Sequence, residues 1–213
     1  MPPRNDDELL GAWQTGDTTA FDELVARHYT SIHRFFDLRV PAAADDLTQQ
    51  TFLGALEAAS RFRRESSFRT FLFAIAHKQL LRRLRDRPPG IERFGGEETS
   101  TSLSMVAVRQ QEHQFLLMAL AQLPLELQLV TELYYWENLR TAEIGEALSL
   151  NPSTVAGRLA RARELIGQNI TQMTRPGPLR DRLLGELEQI SRALGPVTAA
   201  ANARSRSPNA IPR

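Results

Sequence analysis

TAEIGEALSLNPSTVAGRLARARELI, residues 141–166, is the stretch on which the fold turns. Ile144, Leu148, Val155 and Leu159 recur at helical spacing, and Ser149-Leu150-Asn151 interrupts them. Asn151 is a favoured N-cap residue and Pro152 suits the first helical position, so a second helix starts sharply there. Thr141 is placed to cap the first helix, and Gly145 permits close helix–helix approach. Two short helices across a tight turn are a helix-turn-helix pattern. The second helix carries Arg158, Arg161 and Arg163, with Ser153 and Thr154 in its first turn, near free N–H groups that favour a phosphate. In a major groove, such a helix offers base-edge donors early and phosphate contacts later. The same residues also fit a plain helical hairpin with a solvated arginine face, and this segment alone leaves both readings open.

Upstream, the periodicity stays helical and no stretch alternates with period two for long enough to be a strand. The spacing predicts a short helix near Asp6–Trp13 and a long one from Thr18 to Leu38, capped by Asp17 and ended by Pro41. It predicts another over 44–60, with Leu47, Thr51, Phe52, Ala55, Leu56 and Ala59 on its buried face, and another over 67–86. Residues 88–104 hold Pro-Pro-Gly, Gly-Gly and a Glu-Glu-Thr-Ser-Thr-Ser run, the composition of a linker. Helix is expected again from Val106 to Ala121 and from Pro124 to Trp136. Arg175-Pro176-Gly177-Pro178 breaks the chain before an amphipathic stretch marked by Leu179, Leu183, Leu187, Ile190 and Leu194. Residues 195–213 read as disordered. The expected architecture is all-α, with domains at 7–87 and 113–170, a linker at 88–112 and a C-terminal extension at 171–213.

Charge is distributed unevenly. The 213-residue chain has a formal net charge of only +1. Between Arg61 and Arg87, however, nine basic residues face only Glu65 and Asp86, a local net of +7. Lys78, Arg82 and Arg85 repeat at helical spacing, a stripe expected opposite a Phe71/Ile75 core face. Basic residues interleaved with Phe62, Phe68, Phe71 and Phe73 suit melted DNA, by phosphate neutralisation and base stacking. The bland reading is a solvated charged face, and the spacing of the phenylalanines points to core. Asp45, Asp46, Gln49, Gln50 and Glu57 form a face of the opposite kind, either dipole-complementing caps or a surface for a second partner.

Composition excludes much else. The chain has no cysteine, hence no disulfide, thiolate nucleophile or iron–sulfur cluster. Lys78 is the only lysine and follows a histidine, so no Walker A loop exists. No apolar run reaches 18 residues and the N-terminus lacks a signal-peptide core, so a soluble, cytoplasmic protein is expected. A metal-dependent phosphohydrolase built from His28, His33, His77, Asp45 and Asp46 finds no His-Glu-x-x-His spacing to support it. No metal, cofactor or catalytic residue is expected. No heptad seam appears, which makes a monomer the default.

The run DDLTQQTFLGALE (45–57), then Phe62 and SFRTFLFAIAHKQLLRRLRDR (67–87), resembles the bacterial RNA polymerase sigma factors of the extracytoplasmic-function type. LAQLPLELQLVTELYYWENLRTAEIGEALSLNPSTVAGRLARARELI (120–166) is similar to the promoter-binding C-terminal domain of that family, and DELLGAWQTGDTTAFDELVARHY (7–29) to its first helices. The resemblance implies a non-enzymatic initiation subunit that binds core polymerase and promoter DNA. It implies docking through Asp45, Asp46, Gln49, Gln50, Phe52 and Leu53, and contact with the −10 region through Arg61, Arg63, Arg64, Ser66, Lys78, Arg82, Arg83 and Arg85. It implies −35 recognition through Asn151, Ser153, Thr154, Arg158, Arg161 and Arg163. A linker with Glu97 and Glu98 would run toward the polymerase active site. The tail beyond Thr171 lies outside the usual family length; it reads either as a regulatory helix, for an anti-sigma partner or for self-inhibition, or as an extra helix packed on the second domain. The sequence departs from the family where a basic residue and a serine commonly follow the valine of the recognition helix. Here those positions are Ala156 and Gly157, which removes two side chains from expected DNA contact. Gln50 stands where glutamate is frequent. The rival reading is a stand-alone helix-turn-helix regulator that binds duplex DNA without polymerase.

Overall fold

A computed structural model describes residues 4–58, 62, 66–86 and 115–193. The expectations for Arg61, Arg63, Arg64, Arg87, Glu97, Glu98 and the segments 88–114 and 194–213 therefore lie outside the described residues. Those described are helical, with no strand among them. The chain divides into two compact units, one of residues 1–94 with 146–150 and the other of residues 95–145 with 151–213.

In the first unit, α1 (Asp6–Gln14) starts with a reciprocal cap. The Asn5 side chain accepts from the Glu8 N–H and the Glu8 carboxylate accepts from the Asn5 N–H, each at 2.9 Å. Asp17 caps α2 (Thr18–Asp37), accepting from the N–H groups of Thr19 and Ala20. A 3₁₀ turn at Pro41–Ala43 leads into α3 (Ala44–Ala58), and Ser67 caps α4 (Phe68–Arg85). Leu9, Leu10, Leu24, Ile32, Phe35, Phe36, Leu72, Phe73 and Leu80 are fully buried between these helices. Gly54 lets α3 and α4 approach closely, since a Cβ there would stand 3.3 Å from Ile75 Cγ2.

An ionic clasp fastens α1 to α2. Arg27 donates to Asp6 at 2.5 Å, His28 Nε2 lies 2.7 Å from the other Asp6 oxygen, and Arg4 pairs with Asp17 and Glu23. The His28 hydrogen bond, aided by Arg27, holds the Asp6 carboxyl below the usual carboxylate range. A depressed native pKa stabilises the fold above the unfolded-state value of about 4, and that contribution is lost as pH falls through the native value. Asp6→Asn is therefore expected to flatten the stability-versus-pH curve below about pH 4 and to cost about 1–2 kcal/mol at neutral pH. Urea titrations across pH 3–7 check this; an unchanged acid limb removes the clasp from the account.

The second unit begins at a helical run described over 115–121 (α5). Pro124 is the cap residue of α6 (Leu125–Tyr135) rather than its first turn. Gln128 donates to the carbonyls of Ala121 and Leu123, closing the end of α5. Helix α7 (Thr141–Leu148) starts at Thr141 itself, so the expected Thr141 cap moves back one residue. Arg140 takes the cap position: its carbonyl accepts from Ile144 and its N–H donates to the Glu143 carboxylate. Ser149 makes the turn with φ +57°, and α8 (Pro152–Met173) follows. Asn151 occupies the cap position with extended backbone, but its side chain makes no capping hydrogen bond.

The C-terminal extension folds as α9 (Pro178–Ala193), turned back on α8 at Gly177, φ +151°. Leu183 is fully buried with Ala119, Leu120, Ala162, Ile166 and Ile170, and Leu179, Leu184 and Leu187 pack at the margin. Arg180 donates to the carbonyls of Thr171 and Thr174, closing the C-terminus of α8 where a cation also suits the helix dipole. Of the amphipathic stretch, the Ile190 side chain and Leu194 lie outside the described residues.

Candidate functional site

Helix α3 is amphipathic with a phase the sequence only partly revealed. Asp45, Asp46, Gln49, Leu53, Leu56 and Glu57 are exposed, with Leu53 at 58% and Leu56 at 46%. Leu56 therefore leaves the expected buried face and joins the acidic one. Phe52, expected to touch a partner, is buried and stacks on Tyr29, with ring centroids 6.4 Å apart and 6° between planes. Tyr29 in turn stacks on His33, whose Nε2 lies 3.1 Å from Asp45 Oδ1. Gln50, half-buried, donates to Asp46 at 2.8 Å. The result is a surface of acidic and amide groups with two leucines at its centre, supported from below by an aromatic stack. The contribution of Tyr29, His33 and Leu56 was missed because their order depends on α2 lying against α3.

On α4 the buried face is Leu72, Phe73, Ala76 and Leu80. Phe71 and Ile75 are half-buried and fall in line with Lys78, Arg82 and Arg85, so the stripe continues from them rather than lying opposite. Lys78, Arg82, Arg83 and Arg85 are all exposed, and Ser66 is half-buried just before the helix. Phe62 packs on Phe71 at 4.4 Å between ring centroids, and its carbonyl accepts from Gln14 Nε2 at 3.3 Å. One end of the cationic row thus carries a partly exposed aromatic pair.

On α8, Val155, Ala156, Leu159 and Ala162 are buried, while Asn151, Ser153, Thr154, Gly157, Ala160 and Arg161 are exposed. Ala156 therefore points inward and was never a vacant DNA contact; Gly157 alone departs on the outer face. Arg158 sits half-buried at the flank. Arg161 pairs with Glu164 at 2.6 Å, an exposed i, i+3 contact of small net worth that leaves it available. Arg163 differs: its Nε is buried, and it lies close enough to Tyr135 to pull that phenol back down while burial pushes it up. His28 and His33 pair with different carboxylates, and among the described residues no three His, Asp or Glu gather at one point.

Comparison with known proteins gives the family. Sigma-70 region 2 matches residues 21–88, and Sigma-70 region 4 matches 114–166. Over 173 residues the chain is 31% identical to the ECF RNA polymerase sigma factor SigM of Mycobacterium tuberculosis, covering 75% of this chain and 82% of that one. The chain belongs to the ECF RNA polymerase sigma factors. It is also 27% identical to the ECF sigma-E factor of Escherichia coli K12 over 80% of its own length and 96% of that protein. The solved structure of CnrH in complex with the cytosolic domain of CnrY shares the fold, with TM-score 0.59 and 24% identity over 79% of this chain and 99% of that one.

As a sigma factor it directs RNA polymerase to promoters, which sets aside the stand-alone regulator. The family match ends at Ile166, yet α8 runs on to Met173 and α9 packs against it. This sigma factor therefore adds a helix to the hydrophobic core of its second unit. Among the described residues no helix is long and apolar enough to cross a membrane.

Proposed function

We propose that α3 docks on core polymerase through Asp45, Asp46, Gln49, Leu53 and Leu56, with Gln50 bracing Asp46 and Phe52 supporting the face from beneath. Lys78, Arg82, Arg83 and Arg85 then lie along the promoter backbone beside the −10 element, with Arg61, Arg63, Arg64 and Ser66 contacting the melted strand. Asn151, Ser153, Thr154, Arg158 and Arg161 meet the −35 element, and Arg163 braces the recognition helix from its inner side. The observation that carries this reading is that one compact unit presents both an exposed acidic–leucine face on α3 and an exposed cationic row on α4. Two surfaces of opposite character suit two partners, a basic protein surface and a polyanion. Polymerase supplies the chemistry and this chain the address, so the factor works in the cytoplasm without a catalytic residue. A protein partner that binds the factor belongs to the same reading, as CnrH, which shares the fold, is found in complex with the cytosolic domain of CnrY.

The test is run-off transcription from a fragmented genomic library with purified chain and core polymerase free of other sigma factors. Discrete start sites are expected; none, together with no co-elution with core, overturns the reading. Replacing Lys78, Arg82 and Arg85 with alanine is expected to lower the slope of log K against log salt by about 2–3, since each phosphate contact contributes about 0.7–0.9. Filter binding of holoenzyme to a selected promoter across a salt series measures this. An unchanged slope removes the row from the DNA interface.

A further inference from the structure

Gly157 lies in the interior of α8, where glycine is less favourable than alanine because it loses more backbone freedom on folding. The fold supplies no reason for it. Its backbone is not in the left-handed region, and a Cβ at that position would meet nothing within 4 Å. Gly54 and Gly167 differ, because a Cβ there would meet Ile75, or Leu184 and Leu187. Gly157 is also the centre of the exposed face. It stands four residues after Ser153, three after Thr154 and four before Arg161, so all three project from the turns on either side of it. The neighbour on that face with a short apolar side chain is Ala160. The outer face of α8 thus has a shallow apolar notch between a pair of hydroxyls and a guanidinium.

We infer that Gly157 is a specificity-determining position, at which the notch over Gly157 and Ala160 admits the 5-methyl group of a thymine in the −35 element. This rests on the proposed placement of α8 in the major groove. There thymine alone presents a methyl group, and small apolar side chains are the surfaces that read it. Ser153, Thr154 and Arg161 hold the flanking bases and phosphates, and the missing Cβ lets the helix axis approach the base edges closely.

The test uses the full chain assembled with core polymerase on a promoter chosen by run-off selection. Each −35 thymine is replaced in turn by deoxyuridine, which deletes only the methyl. The wild-type holoenzyme is expected to lose about fourfold in affinity at one thymine, the worth of one buried methyl. Gly157→Ala is expected to bind the parent promoter about tenfold more weakly and to be indifferent to deoxyuridine at that same thymine. Because alanine favours helix, the variant should melt about 4 °C higher, so weaker binding cannot be ascribed to misfolding. Gly185→Ala on α9, where a Cβ also meets nothing, is the control and should leave DNA binding at the wild-type level. If Gly157→Ala binds the parent promoter like wild type, or no thymine is sensitive, the inference is overturned while the sigma reading stands. A wild-type holoenzyme that selects no promoter overturns both.

Discussion

Asp45→Lys with Asp46→Lys is expected to weaken association with core polymerase by about 100-fold or more and to abolish promoter-directed transcripts, with helical content unchanged. The Asp45 side chain is 81% exposed and pairs only loosely with His33, while the exposed Asp46 accepts from the half-buried Gln50. Losing such surface contacts costs the fold little, within about 0.5 kcal/mol for each site. Reversing two charges against a basic partner surface converts attraction into repulsion, and like-charge juxtaposition at an interface costs several kcal/mol. Size-exclusion co-elution and run-off transcription give the readout. DNA binding by the recognition helix should survive, because α8 is remote in sequence from α3 and carries its own donors. A variant that co-elutes with core at wild-type affinity would remove α3 from the docking surface.

Leu183→Ala should destabilise the second unit by about 2–4 kcal/mol, since it empties a fully buried leucine site among Ile166, Ile170 and Ala119. Few single changes in a marginally stable domain would cost more. Leu187, packed at the margin of the same cluster, provides a graded comparison and should cost less when truncated. Urea denaturation followed by far-ultraviolet circular dichroism checks both. A Leu183→Ala cost below about 0.5 kcal/mol would mean that α9 is only loosely docked, and that the C-terminal extension is separable from the domain. A large cost means that α9 belongs to the core on which the recognition helix is mounted. The Arg180 cap predicts the large cost, because it holds α9 against α8 beyond its apolar stripe, and Gly167 leaves room for Leu184 and Leu187 to come close to α8.

Local order was legible in the residues. Asp17 and the Pro152 start give helix ends that depend only on side chains two or three positions away, and the structure has them where the spacing put them, while Ser67, expected as a first helical residue, is the cap of α4. The helix-turn-helix order, the all-α class and the family resemblance follow from such short-range signals and from motif order. The exceptions are instructive. Asn151 has the right backbone but its side chain makes no capping hydrogen bond, and the cap of α7 slipped one residue because the Glu143 carboxylate satisfies the Arg140 N–H.

Helical phase was legible only in part. Helix α3 has apolar residues around most of its circumference, so Phe52 and Leu56 could each have faced the core; α2, arriving with Tyr29, buried the one and left the other out. Helix α4 had the same ambiguity between Phe71/Ile75 and Leu72/Phe73, and its neighbours selected the latter pair. The buried turn of Ala156, the inward bracing of Arg163, the outward opening at Gly157 and the docking of α9 are of the same kind. What the sequence by itself determined is where helices begin and end, how charge is shared among them, and therefore the class of protein. Those properties are set by backbone sterics and neighbours within one turn. Which side of each helix became surface was decided only by tertiary structure, because a 3.6-residue period with apolar residues on more than one side admits several burial faces. Close packing against particular neighbours chooses among them.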